Sequence, residues 1–373
     1  MKVSRRKSLA LVGGGVVLAA TAGTAAFLST RTPHKALKAW NAAGDYQDPR
    51  LYALSYALLA PNPHNLQPWR AELVGDNEIN IYRDMSLALP ETDPFSRQLT
   101  VGMGCFLELL SMAAAGRGLK TELSLFPDKT EELVARVKLT SGADADPLFA
   151  QALKRRSCKE PFEDRRLSGS QINEIESFAG VIHSEKDAAE IKKITLDAYH
   201  IEMNHHATLK ESVDYMRMGK AEIEANPNGI DMGGAFLESL MAVGILSKEA
   251  LLDPQSKAFH EGIKMYDQML SATTAYVFVL SDRNERADQI EAGRNWMRLN
   301  LKTTEMGLSL HPVSQSLQEF PEMDEQYQAI HKRLASPGQT VQMLGRIGFG
   351  PTVPRSPRWP LEARMMDGSA GAK

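Results

Sequence analysis

Apolar positions recur at helical spacing over residues 104–119 and again over 293–308, and each stretch closes on Gly-Leu. Glycine just past the last periodic residue is the expected helix stop, because it adopts the left-handed conformation at no steric cost. Laid over one another, the two stretches pair Gly104 with Gly293, Gly118 with Gly307 and Leu119 with Leu308, always 189 residues apart (293 − 104 = 189). A strand-like run precedes each of them, residues 78–83 and 275–280. The pattern predicts two like halves joined in one chain. A further helical run over 48–59 ends where prolines begin.

The halves are not equal. Residues 193–267 form an insertion in the second half, rich in Met, His and charge; Met203, Met216, Met218, Met232 and Met241 give it an adaptable apolar lining. Composition is that of a globular body, with 43% apolar and 24% charged residues, and 373 residues can bury a large core. A net charge of −3 implies no polyanionic partner. His200, His205 and His206, with Glu202 among them, contain no helical i, i+4 His pair, so no metal site is expected. Cys105 lies in an apolar helical pattern and reads as core, and a disulfide to Cys158 is left open by the sequence.

Three separated segments carry candidate chemistry. Ala60-Pro61-Asn62-Pro63-His64-Asn65-Leu66-Gln67-Pro68-Trp69 is a stiff loop, since three prolines exclude a helix interior or a central strand. Its amides are available to a ligand, which would lose little entropy on binding to a rigid loop. In Arg155-Arg156-Ser157-Cys158-Lys159, an extended backbone would turn Arg155, Ser157 and Lys159 to one side and Cys158 to the other. Two cations and a hydroxyl suit a ligand with a phosphate at one end, because guanidinium grips phosphate as a fork and ammonium acts as a point charge. Near the C-terminus, Arg355 and Arg358 add two more cations.

In this order the three segments resemble the FMN-binding segments of the nitroreductase family, over most of the chain after its leader. The resemblance implies an α+β fold, a mostly antiparallel sheet flanked by helices, duplicated within the chain and covered by a helical lid formed from the insertion. It implies a leader over 1–32, a first half over 33–148 and a second over 149–373. In the family the flavin sits at a dimer interface. Here both kinds of segment lie in one chain, as in the fused, Acg-like branch, which makes the chain a pseudo-dimer and a monomer in solution. Arg155 and Ser157 would bind the phosphate with Arg355 or Arg358, and Lys159 would face the pyrimidine edge. Asn62 and Asn65 would come from the facing half, and Ser314 and Gln315, after His311-Pro312-Val313, would approach the ring. Asn62-Pro63 stands where the family has Ser-Ser, and this removes the hydroxyls of that loop. Only one combination of segments is complete, so one FMN per chain is expected. The implied activity is two-electron transfer through flavin to a quinone or nitro compound, with a small-molecule acceptor and a quinol or protein donor. The alternative is a flavin-sequestering protein with little turnover.

Lys2, Arg5, Arg6 and Lys7 precede an uncharged run over 8–30. Ser4-Arg5-Arg6-Lys7-Ser8-Leu9 resembles a twin-arginine export signal, with Ser8 where that pattern prefers Phe. The run is long enough to span a bilayer, and small residues around Ala22 and Ala26 offer cleavage sites. A periplasmic protein, or one anchored and facing the periplasm, is expected.

Overall fold

The computed structural model describes residues 30–366. The first half runs through α1 (Lys38–Ala42), α2 (Pro49–Ala57), β1 (Trp69–Val74), β2 (Glu78–Arg83), α3 (Arg97–Ala115), β3 (Leu119–Leu125) and β4 (Leu133–Ser141). The second begins with α4 (Gly169–Glu176) and β5 (Gly180–Ile182). It continues through α5 (Glu185–Asn204), α6 (His206–Asp214), β6 (Met216–Met218), α7 (Gly219–Ala225), β7 (Ile230–Met232), α8 (Ala235–Ala242), α9 (Lys248–Leu252) and α10 (Lys257–Ser271). It closes with β8 (Ala275–Ser281), α11 (Arg286–Glu305), β9 (Ser309–Pro312), α12 (Asp324–Leu334) and β10 (Thr340–Gly348).

The chain is α+β, and its duplication is visible in the strand order. One four-stranded sheet runs β1-β2-β4-β3 and the other β5-β8-β10-β9, the same order with equivalent strands, and every pairing within them is antiparallel. In each, one long helix links the second strand to the third: α3 in the first half, α11 in the second. Helix ends follow the sequence signals. Asp48 caps α2 by accepting from Arg50 N at 2.8 Å, with Pro49 at the first helical position. Gly118 and Gly307, equivalent by the 189-residue offset, both take positive φ after their helices, +74° and +69°.

Helices α3 and α11 pack against one another at the centre of the molecule. A side chain at Gly104 would stand 2.1 Å from the Ile290 carbonyl oxygen, and one at Gly293 would stand 2.0 Å from that of Val101. Both contacts obey the repeat, since 290 − 101 = 189 and 293 − 104 = 189. Reciprocal contact between equivalent residues is what a two-fold arrangement produces on its axis. Nearly all of α3 is buried, including Phe106, Leu107, Leu109 and Leu110. It is long and apolar enough to cross a membrane, yet here it is a core helix.

The insertion is wider than its composition suggests. Where β1 and β2 are joined by a tight hairpin at Gly75, β5 and β8 are separated by all of 183–274, so it includes the whole of α5 and α10 rather than 193–267 alone. A short parallel pair, β6 with β7, lies within it.

Candidate functional site

The Pro-rich loop after α2 is held in an unusual conformation. His64, Asn65 and Gln67 all have positive φ, at 47°, 54° and 55°. Such backbone costs on the order of 1 kcal/mol per residue and persists only where surrounding bonds impose it. Asn62 accepts from Gln67 N at 2.8 Å and donates to Ala60 O at 3.2 Å. Asn65 donates to Pro357 O at 3.1 Å and accepts from Arg358. Gln67, fully buried, donates to Pro227 O at 2.6 Å and accepts from Trp359 N at 2.9 Å. This corrects the expectation of available amides: those of Asn62 and Asn65 are committed to shaping the loop and joining it to the C-terminal segment, because a loop with three positive-φ residues needs internal bonds to hold it.

Segment 155–159 belongs to no helix or strand, and its Cys158 N donates to Leu310 O of β9 at 3.2 Å. Arg155 is buried and reaches Leu59 O at 3.0 Å through Nη2, while its Nε and Nη1 have no partner. Arg358, equally buried, donates to Ala60 O at 3.0 Å and to the same Leu59 O at 3.3 Å, and its Nε is unpartnered. Neither guanidinium forms an ion pair among the described residues. Burial first, and the neighbouring arginines second, lower Arg358 to about 9; burial, then Arg156, lowers Arg155 to about 10. Both stay charged at neutral pH. Two buried like charges with unused donors and no carboxylate leave a place for an anionic group, since an uncompensated buried charge is costly. Ser157, half-buried, lies between Arg155 and Lys159 in the chain.

Arg355 is separate from this pair: it donates to Asn41 Oδ1 at 2.9 Å and lies 5.5 Å over the Trp40 ring. Of the two C-terminal cations, Arg358 is therefore the one beside Arg155.

Lys159 is exposed at the surface. Desolvation lowers its ammonium, with Asp231 of β7 opposing the shift. Its charge also reaches two histidines from different elements. Burial and then Lys159 lower His64 to about 4. Burial, then Arg346 and Lys159, holds His311 well below its usual range. The loop, the central segment, β9 and the insertion thus meet around Lys159. Gln315, in the 3-10 turn after β9, donates to the Tyr266 hydroxyl at 3.4 Å, and Tyr266 stacks on Tyr199 at 4.0 Å. Ser314 is half-buried, and its carbonyl accepts from Gln98 Nε2 at 3.4 Å. Two surface recesses, one beside Tyr215 and Glu211 and one beside Tyr46 and Leu58, lie apart from these residues.

One positioning residue escaped the sequence reading. Arg346, fully buried on β10, donates to Cys158 O at 2.8 Å and Glu160 O at 2.7 Å, the carbonyls flanking Lys159. Its Nε donates to His311 Nδ1 at 3.0 Å, which leaves the neutral imidazole proton on Nε2. The available signal was the one charged residue inside the strand 340–348. Cys158 is buried against Pro351 O, and both cysteines are free thiols.

No protein-family model matches the chain. Among curated proteins it is similar to "Putative NAD(P)H nitroreductase Rv3131" of Mycobacterium tuberculosis, at 24% identity over 332 residues, 83% of this chain and 91% of the relative. It is also similar to "Putative NAD(P)H nitroreductase acg" of the same organism, at 25% identity over 83% of this chain and 93% of that one. Two solved structures overlap more loosely. The nitroreductase-like family protein from Bacillus cereus does so at 13% identity and a TM-score of 0.32, over 61% of this chain and all of the other. The FMN-dependent nitroreductase NfnB from Mycobacterium smegmatis does so at 13% and 0.32, over 53% and 84%. The similarity covers 83% of this chain and more than nine-tenths of each relative, and it is to Acg-like proteins that carry the nitroreductase name.

Proposed function

We propose that the chain binds one FMN and acts as an oxidoreductase of nitroreductase type, with a quinone or nitro compound as acceptor. The observation that carries this is the buried pair Arg155 and Arg358, whose three unpartnered guanidinium nitrogens have no carboxylate partner. That donor set fits a phosphate monoester, which takes several charge-assisted hydrogen bonds at once. Arg155, Arg358 and the Ser157 hydroxyl would hold the phosphate, Lys159 would sit at the pyrimidine edge, and Ser314 and Gln315 would lie towards the ring. FMN, when bound, supplies the two-electron chemistry, and the protein supplies position and electrostatics. The Lys159 ammonium favours negative charge in its neighbourhood, and Arg346 fixes the backbone on both sides of it.

The same reading makes the chain a pseudo-dimer that is monomeric in solution, since its two halves already share an interface. It is exported by the twin-arginine route, and a quinol or a protein is its donor, because nicotinamide nucleotides are cytoplasmic. The leader lies outside the described residues.

A second reading, flavin sequestration without efficient turnover, is favoured by how tightly the insertion meets the loop: Gly229 N donates to Asn65 O at 3.0 Å, beside the bond from Gln67 to Pro227. The experiment is the visible spectrum of the purified protein, with released flavin identified and counted per chain, followed by anaerobic addition of NADPH. One FMN per chain is expected, and none after reconstitution refutes both readings. Rapid bleaching selects the enzyme with a nicotinamide donor; no bleaching selects storage or a dedicated donor.

A further inference from the structure

Helix α8 carries an exposed apolar edge. None of its eight residues is fully buried, and three of the six exposed large apolar side chains among the described residues lie on it or on the turn that follows: Phe236 is 52% exposed, Val243 68% and Ile245 47%. Its carboxylate points the other way. Glu238 Oε2 accepts from Arg31 Nη1 at 3.0 Å and Oε1 from Lys220 N at 3.2 Å, so the polar side faces the protein body.

The chain's own N-terminal segment meets the body at this helix. Arg31 binds Glu238, and Lys220 Nζ donates to Thr30 O at 2.9 Å. Directly before Arg31 the sequence carries no charged residue over 8–30, with Lys2, Arg5, Arg6 and Lys7 beyond. An apolar run of about 20 residues spans a bilayer, and flanking cations favour its surface. The outward apolar edge of α8 therefore lies beside the point at which such a run would join the fold.

We propose that α8 and the turn to Ile245 form a membrane-contacting edge. Phe236, Val243 and Ile245 enter the boundary between headgroups and acyl chains. Interfacial helices bind in this manner, laying an apolar face in the plane of the bilayer. The occupant is lipid. Gly233 and Gly234 alone separate α8 from β7. The docking itself does not depend on a flavin being present.

The test uses the full chain reconstituted in vesicles of phosphatidylethanolamine and phosphatidylglycerol. Val243→Cys is labelled with an environment-sensitive fluorophore; Cys105 and Cys158 are buried and do not compete. Asp76→Cys, on the exposed β1–β2 hairpin, serves as the control. The expected result is a blue-shifted emission at position 243 that is quenched by a nitroxide lipid, with position 76 unaffected. Adding Phe236→Ser and Ile245→Ser should abolish both the shift and the quenching, in protein whose circular dichroism is unchanged. A water-like emission at 243 overturns the proposal. So does a shift that nitroxide lipid fails to quench, which would mean that a second copy or the chain's own N-terminal run covers the helix. Equal quenching at 76 also overturns it, as unspecific adsorption.

Discussion

Gly104→Ala should destabilise the protein by roughly 3 kcal/mol, although alanine is the better helix former by about 1 kcal/mol. The new methyl would lie 2.1 Å from the Ile290 carbonyl oxygen and 2.9 Å from Gly293 Cα. Both are backbone atoms of a helix, so no side chain can swing aside. An ordinary contact requires α3 and α11 to separate by roughly 1 Å, and a gap of that size forfeits a quarter to a half of each dispersion contact along the seam. Cys105 Sγ, 3.1 Å from Gly293 O, would lose that approach as well. Gly293→Ala meets the equivalent carbonyl, Val101 O, and should cost as much. The double variant should cost clearly less than the sum, because helices already forced apart by one methyl accommodate the second. Gly262→Ala on α10, where a methyl meets nothing within 4 Å, makes the same chemical change and should stabilise slightly. Denaturant unfolding of the four variants is the assay. If Gly104→Ala unfolds at or above the wild-type midpoint, or the two costs add fully, the two-fold contact between α3 and α11 is wrong.

Other consequences can be measured separately. Arg155→Ala and Arg358→Ala should each weaken FMN binding tenfold or more, on the scale of about 1.5–3 kcal/mol for a charged hydrogen bond, while Arg355→Ala should have little effect; equal retention of flavin by all three would refute the phosphate assignment. Burial pushes the Glu202 carboxyl from 4.5 up to about 7. Its folded form thus holds a proton that the unfolded chain releases, so the stability Glu202 contributes is fully present below pH 4.5 and is lost as pH rises through about 7. The fall is about 3 kcal/mol, which Glu202→Gln should remove; an unchanged pH slope in that variant would count against it. Gln67→Ala strands Trp359 N and frees Pro227 O, so it should cost about 1–3 kcal/mol and speed hydrogen exchange over 226–233, with the two sheets unaffected.

The amino-acid sequence alone carried the duplication. Gly104 and Gly293 could be paired because helix periodicity and the Gly-Leu stops are local properties, and a repeated local pattern keeps its spacing. The same holds for the strand-like runs at 78–83 and 275–280, which form β2 and most of β8. The extent of the insertion was less legible, since α5 and α10 read as ordinary amphipathic helices, and only the pairing of β5 with β8 reveals what lies between.

What tertiary structure decided was the partner of each polar group. Asn62 and Asn65 look free along the chain and are spent on Gln67, Pro357 and Arg358. Arg355 and Arg358 are indistinguishable by type, yet only Arg358 is buried beside Arg155. Arg346 gave no motif, and it supports Lys159 from 187 positions away (346 − 159 = 187). Periodicity records which face of an element is buried. It does not record which distant donor meets which carbonyl, because that depends on how whole elements pack, and the candidate site is built almost entirely from such distant meetings.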